Sequence, residues 1–271
     1  MRKKREVLSG VGTMLLLMSV ASCNNNAKDK SAEADACGAS LVELESYKYD
    51  VIAAYPDSDA LDVEGGKYWR FSGSGILPLK IGDKDVTTLR DSLMRLAKME
   101  MPGKDKAAPL LDDDLTATTV SPDSAKACSQ SVNQISVALT TPELVVWKNF
   151  YYTYMCRAAH GFYSTTYINY GIEDGKILSV ADLMQPGYEQ KLTKLIRNRI
   201  SENKVPLLES VDSVSIPNNF ELTTDGINFI YGLYEITPYA AGEITIEFKS
   251  YELDSLLTPA AATRYFGILP D

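Results

Sequence analysis

Histidine is almost absent from this sequence, with one residue at position 160, and the short motifs of common enzymes are missing. There is no GxSxG elbow, no P-loop, no HExxH motif and no GxGxxG fingerprint. No CxxC pair is present either, so the side chains that usually hold zinc are scarce. We therefore predict no cofactor, no metal site and no catalytic residue, and we do not expect an enzyme.

A hydrophobic run long enough to span a membrane is also missing. The one marked apolar segment, residues 11–20, follows four basic residues and is too short to cross about 30 Å of hydrocarbon as a helix. Ala21 and Ser22 then lead into Cys23, so residues 1–22 are predicted to be a signal peptide. The small residues before Cys23 are typical of a lipobox, which predicts acylation of that thiol. An ordinary secretory signal followed by an incidental cysteine is the alternative.

The segment after Cys23 lacks the large apolar residues that could form a core. Residues 23–39 are mostly small or polar, which predicts a flexible, lipidated tether. The protein is accordingly expected in a bacterial cell envelope, held to a membrane by its lipid. The sequence leaves open whether it faces the periplasm or the surface.

Acidic residues outnumber basic residues in this sequence. Without residues 1–22 the chain has 23 Lys and Arg against 35 Asp and Glu, a formal charge of −12. This argues against nucleic acid, whose phosphates require a basic surface. Such a charge attracts cationic partners mainly by raising the association rate, although solubility alone would also account for it.

Three cysteines remain after Cys23, an odd number. Cys37 lies in the predicted tether, which leaves Cys128 and Cys156 as the candidate disulfide in an exported protein. Two buried free thiols are the alternative.

The hydropathy pattern predicts an α+β fold with two small lobes, each an antiparallel sheet packed against one main helix. Strands are expected at residues 40–55 and 68–81, the second with a bulge or bend at Gly73 and Gly75, and a helix at 83–99. After residue 130, three strands, two hairpins with Asp-Gly signals, a helix at 188–203 and a short helix at 251–257 are predicted. The boundaries are residues 40–102 for the first lobe, 103–127 for a linker, 128–258 for the second lobe and 259–271 for a tail.

Aromatic residues are concentrated in the second lobe, where strand geometry turns some of them away from the core. Exposed Tyr side chains suit contact with a protein or a sugar. The candidate binding residues are His160, Tyr163, Tyr167, Tyr234 and Tyr239. Sheet packing would also explain the tyrosines, and a hydrogen bond to backbone would explain the histidine. If Cys156 and His160 shared a strand, they would lie about 13 Å apart, too far for a catalytic pair.

Several segments of the second lobe carry a family resemblance. They are Arg157-Ala158-Ala159-His160-Gly161, Tyr167-Ile168-Asn169-Tyr170, residues 174–183, Asn219-Phe220, Asp225-Gly226-Ile227 and residues 234–242. Together they resemble the extracellular domain of unknown function shared by RsiV-type anti-sigma factors and PdaC-type deacetylases. Arg157-Ala158 replaces the usual Gly-Gly, which alters the expected tight turn. The first lobe would be the variable domain that precedes this one.

The resemblance implies a binding or sensing module and supplies no catalytic residue. In RsiV the domain binds lysozyme, a cationic protein, and in PdaC it accompanies a catalytic domain that this chain lacks. We therefore expect a non-catalytic envelope lipoprotein that binds a protein, lysozyme-like in the sharpest version, or a cell-wall glycan. The alternative is a peptidoglycan or polysaccharide hydrolase, or an accessory to one, that uses carboxylates.

Overall fold

The computed structural model describes residues 16–19, 41–54, 64–103, 106–111, 115–117 and 126–268. Its strands are β1 (Leu16–Ser19), β2 (Leu41–Ala54), β3 (Tyr68–Ile81), β4 (Met99–Gly103), β5 (Lys106–Pro109), β6 (Thr116–Ala117), β7 (Ser129–Thr140), β8 (Leu144–Tyr154), β9 (Phe162–Gly171), β10 (Lys176–Ile177), β11 (Phe220–Leu222), β12 (Gly226–Tyr231) and β13 (Ile244–Lys249). Its α-helices are α1 (Thr87–Leu96), α2 (Val180–Leu183), α3 (Glu189–Glu202) and α4 (Pro259–Phe266).

One large sheet runs through both predicted lobes. Its strand order is β1-β2-β3-β7-β8-β9-β10, and β6 pairs with β2. The β3–β7 pair is parallel, with Trp69 opposite Ser129 and Gly75 opposite Ile135, whereas the neighbouring pairs are antiparallel. The fold is therefore mixed α and β and mostly sheet. The predicted division into two lobes, each with its own sheet, is not confirmed, because this parallel pair makes the sheet continuous.

The large sheet is covered on both faces, and β8 shows this most clearly. Val145 and Trp147 pack in one core with α1, while Leu144 and Val146 pack in a second core with α3 and the small sheet β11-β12-β13. Because alternate residues of a strand face opposite sides, β8 can supply both cores. Its four successive buried residues follow from this double cover.

On the first face, α1 packs its apolar side against the sheet. Leu89 and Leu93 are buried four residues apart, as expected for one helical face. Asp85 accepts a hydrogen bond of 2.9 Å from the backbone N–H of Thr87 and so satisfies a donor of the first turn. The predicted helix at residues 83–99 is thus present over a shorter range.

The glycines of β3 make room for two tyrosine rings. Tyr47 lies opposite Gly75 and Tyr49 opposite Gly73 in unbroken register with β2, and the one irregularity of that pair is at Glu43/Leu44. A Cβ on Gly73 would lie 2.3 Å from Cε1 of Tyr49. The predicted bulge or bend at Gly73 and Gly75 is therefore wrong, since these glycines serve close packing within a regular strand.

Replacing Gly75 by Ala should lower the free energy of unfolding by about 1–3 kcal/mol, the usual cost of overpacking. The new Cβ would lie 2.7 Å from Cβ of Ile135 and 2.8 Å from its carbonyl oxygen, which is backbone and cannot move freely. Urea denaturation measures the change. Ser74→Ala, on the next residue of the same strand, is the matched control and should stay close to wild type. Equal effects of both substitutions would contradict the packing role of Gly75.

On the second face, side-chain amides fasten the small sheet to β9. Asn169, which is 1% exposed, donates to the carbonyl of Phe220 and accepts from the backbone N–H of Leu222, both at 2.8 Å. Asn219 reciprocates by accepting from the N–H of Tyr167 at 3.0 Å and donating to the carbonyl of Thr165 at 2.7 Å. Two amides therefore replace a backbone ladder between the two sheets.

The end of the chain differs from the prediction. In place of the helix at residues 251–257 there is a 3₁₀ turn at Ser250–Glu252, and the predicted tail contains α4. Thr258 caps α4 through its hydroxyl, Pro259 occupies the first turn, and Gly267 ends the helix at φ 66°. Ala261 and Ala262 pack in the second core.

The structure describes only part of the N-terminal segment and of the linker for which predictions were made. Cys23, Cys37 and the tether at residues 23–39 lie outside the described residues, as does most of the signal segment. Leu16–Ser19, from that segment, pairs antiparallel with β2. The linker supplies β5 and β6, which pair with β4 and β2. Within the described ranges, no helix has the length and apolar character needed to cross a membrane.

Candidate functional site

The loop that follows a disulfide carries the only histidine of the sequence. Cys128 and Cys156 are bonded, with Cα atoms 5.2 Å apart, and the N–H of Cys156 donates to the Ser129 hydroxyl at 2.9 Å. The chain then turns at Arg157, whose φ of 65° is in the left-handed region, and reaches His160. A glycine would adopt this backbone without strain, which gives the usual glycine of the resembling motif a physical reason.

His160 contacts two tyrosines, and a third tyrosine joins them through Tyr239. These four residues are called the ring cluster: His160, Tyr163, Tyr234 and Tyr239. The imidazole is stacked on Tyr239 with centroids 3.8 Å apart. Tyr234 lies 5.7 Å from Tyr239 and 6.4 Å from His160, and Tyr163 meets Tyr239 edge-on at 6.4 Å. These separations are typical of attractive aromatic pairs.

Hydrogen bonds fix the cluster to its loops. The Tyr239 hydroxyl donates to the carbonyl of Gly161 at 2.8 Å, and Nδ1 of His160 lies 3.0 Å from the same oxygen. Nε2 of His160 is 3.3 Å from the hydroxyl of Tyr234. Both imidazole nitrogens are therefore engaged by neutral groups. His160 is exposed and Tyr234 is 52% exposed, so the cluster presents ring faces to solvent while its base is held by the fold.

Tyr167 does not join the other four predicted binding residues. It is half-buried against the second core, and Lys148 lies over its ring at 6.0 Å. Burial, together with the carboxylates of Glu221 and Glu243, raises the pKa of Tyr167 to about 12. Its phenol thus stays neutral and is part of the packing between β9 and the small sheet. Of the five candidates, four converge and one does not.

Other residues shape the cluster without having been predicted for it. A Cβ on Gly242 would lie 3.1 Å from the Tyr163 hydroxyl, and Gly242 has a φ of 75° with ψ −166°, which is essentially restricted to glycine. Glu243 accepts from the N–H of Thr165 at 2.7 Å and so holds this turn against β9. The signal was present in the sequence, since Gly242 is the last residue of the resembling segment 234–242 and Glu243 follows it directly.

The arrangement has the properties of a contact surface. Cys156 is in a disulfide and has no thiol to act as a nucleophile beside His160. Across the described part of the chain, no three His, Cys, Asp or Glu side chains converge as a metal-ligand set would. What the cluster offers is ring faces, hydroxyls and an imidazole on a fixed base.

One family model matches part of this sequence. Residues 181–250 match the family described as a protein of unknown function, DUF3298. No curated protein matches this sequence. A crystal structure of a member of this family from Bacteroides fragilis is similar, with a TM-score of 0.60 and 20% identity over 84% of this chain and 99% of the other.

A family protein from Pseudomonas aeruginosa has a TM-score of 0.53 and 18% identity, covering 80% of this chain and 96% of its own. These likenesses support the fold, including the part before residue 181. They are compatible with the resemblance to the RsiV and PdaC domain.

Tyr234 is held in a backbone conformation that suits glycine. Its φ is 63°, and it lies in a turn where the N–H of Gly232 donates to the Glu235 carboxylate at 2.7 Å. A left-handed conformation costs a residue with a side chain roughly 1–2 kcal/mol. Strain of this kind at an exposed aromatic residue is typical of functional positions.

We predict that Tyr234→Gly is more stable to unfolding than Tyr234→Ala by about 1 kcal/mol. Both substitutions remove the ring, but only glycine relieves the backbone strain. At a position with ordinary φ the order is reversed, because glycine is the more flexible residue when unfolded. Thermal or urea unfolding of the two variants measures the difference. A less stable glycine variant would contradict the strained turn.

Proposed function

We propose that this protein is a non-catalytic binding module of the bacterial cell envelope, anchored through a lipid on Cys23, and that the ring cluster is its contact surface. The observation that carries the proposal is the convergence of His160, Tyr163, Tyr234 and Tyr239 on a fixed base, with His160 and Tyr234 exposed and the other two rings half-buried. Aromatic side chains that are rigid before binding lose little conformational entropy, which makes them effective anchors.

The partner that fits best is a protein with a basic surface. The mature chain has a formal charge of −12, which accelerates encounter with a cationic partner. Exposed tyrosine faces attract Lys and Arg side chains through the ring quadrupole. The resemblance to the RsiV-type domain makes a lysozyme-like protein the sharpest version. A cell-wall glycan stacked on the same rings is the other ligand class within this proposal.

The ring cluster gives no support to the alternative of a carboxylate-dependent hydrolase. The nitrogens of His160 are engaged by the carbonyl of Gly161 and the phenol of Tyr234 instead of a carboxylate. No carboxylate belongs to the cluster, so the cluster lacks the acid pair that this alternative requires. We therefore retain binding as the proposed activity.

Titration of the purified mature protein with lysozyme in a calorimeter tests this proposal. We expect binding at low salt that weakens at moderate salt, since surface charges are screened over about 8–10 Å. Tyr234→Ala should weaken the affinity about tenfold, equivalent to 1.4 kcal/mol. The matched control is Tyr251→Ala, because Tyr251 is 74% exposed and lies outside the ring cluster.

The lysozyme version would be excluded if no heat were measured at either salt concentration. Equal losses from Tyr234→Ala and Tyr251→Ala would instead exclude the ring cluster as the contact surface. Titration with a soluble peptidoglycan fragment under the same conditions would then measure the glycan version.

The anchor is tested separately in cells. We expect labelled palmitate in the wild-type protein and none in Cys23→Ser, with the variant recovered in the soluble fraction. Each acyl chain attached at such a cysteine adds about 0.8 kcal/mol of membrane affinity per buried CH₂, so several chains hold a protein almost permanently. Retention of the unlabelled variant in the membrane fraction would contradict lipid anchoring at Cys23.

A further inference from the structure

A groove adjoins the ring cluster and shares one residue with it. Its volume is about 230 Å³, and it lies between the segment of residues 207–215 and the segment of residues 231–236. Tyr234 is both a member of the ring cluster and part of the groove wall. A ligand that touches this ring therefore also lies beside the groove.

The walls of the groove are held by bonds that do not depend on a ligand. The N–H of Leu208 donates to the carbonyl of Ile236 at 2.9 Å, and the hydroxyl of Tyr231 donates to the carbonyl of Ser215 at 2.7 Å. The hydroxyl of Ser210 accepts from the N–H of Asp212 at 3.2 Å and caps the short 3₁₀ turn at Val211–Ser213. Because these links join both segments, the groove keeps its shape before anything binds.

The charged residues that line the groove are all acidic. Its charged members are Glu209 and Glu235, both exposed acids, and no lysine or arginine lines it. The apolar part of the lining consists of Leu207, Leu208, Val214 and Ile236. One oxygen of Glu235 already accepts from Gly232, which orients this carboxylate, while Glu209 belongs to the other segment. Negative charge, an aromatic face and aliphatic surface thus occur together.

We propose that this groove receives a lysine or arginine side chain presented by a protein partner. Such a side chain has an aliphatic stem, which packs against Leu208 and Ile236, and a cationic end, which meets Glu209 and the face of Tyr234. The charge is complementary at the level of the groove and of the whole chain. An uncharged sugar would find hydrogen-bond acceptors in the two carboxylates but no attraction between opposite charges. This inference rests on the proposed function through Tyr234, and it names the chemical group that the surface selects.

The test uses an acetylated tetralysine peptide as the probe, with the mature protein observed by NMR titration or calorimetry. Glu209→Gln should weaken peptide binding about fivefold, which is within the range measured for exposed charge pairs (0.2–1 kcal/mol). Glu100→Gln is the matched control, since Glu100 is exposed on β4 and its loss changes the net charge equally. Only a local contact makes the two variants differ.

Five outcomes decide the inference. A weaker affinity for Glu209→Gln and an unchanged affinity for Glu100→Gln supports it. Equal effects of both variants, or preferential binding of an uncharged N-acetylglucosamine trimer at Glu209, overturns it. Lysozyme binding that depends on His160 but not on Glu209 would overturn the groove inference and leave the proposed function standing. If lysozyme binding is insensitive to both residues, the proposed contact surface fails as well.

Discussion

Two side-chain amides, the buried Asn169 and the half-buried Asn219, position the ring cluster in this fold. Asn169 on β9 bonds the backbone of β11, and Asn219, directly before β11, bonds the backbone of β9. They set the distance and register between the large sheet and the small one. His160 and Tyr163 belong to the β8–β9 side, and Tyr234 and Tyr239 follow β12 on the other side. The ring cluster therefore exists only when these two sides are fixed relative to each other.

Because hydrogen bonds of side-chain amides join the two sheets, they fix the register between the sheets, which apolar packing would not do. Each amide of this kind both donates and accepts, so a shift by one residue would leave buried backbone groups without partners, at a cost of roughly 1–3 kcal/mol each. Leucines at the same positions would bury surface but would tolerate sliding. The amides thus specify one register, and they account for two segments of the family resemblance, Tyr167-Ile168-Asn169-Tyr170 and Asn219-Phe220, as structural features.

Local patterns in the sequence predicted much of the secondary structure, whereas its long-range consequences were hidden. Alternation indicated β2, β8 and β9, and helical spacing indicated α1 and α3. The β3–β7 pairing is parallel and long-range, so no turn between them signals it. The glycines of β3 have no side chain, so the sequence does not indicate that tyrosine rings of β2 pack over them. The residues that begin and end α4, Thr258, Pro259 and Gly267, could be recognised in the sequence. The apolar residues before them nevertheless favoured a helix at residues 251–257, which is several positions too early in the chain.

The candidate site was predicted in composition but not in extent, and strand geometry explains the difference. Tyr163 and Tyr167 lie on the same face of β9, but four residues of a strand span about 13 Å. Tyr167 therefore lies beneath the small sheet, next to the fastening amides, while Tyr163 lies near the β8–β9 loop, where the cover ends. One end of this face holds the two sheets together, and the other end carries Tyr163 of the ring cluster. The strained turn at Tyr234 lies at that second end, where we propose that a partner binds.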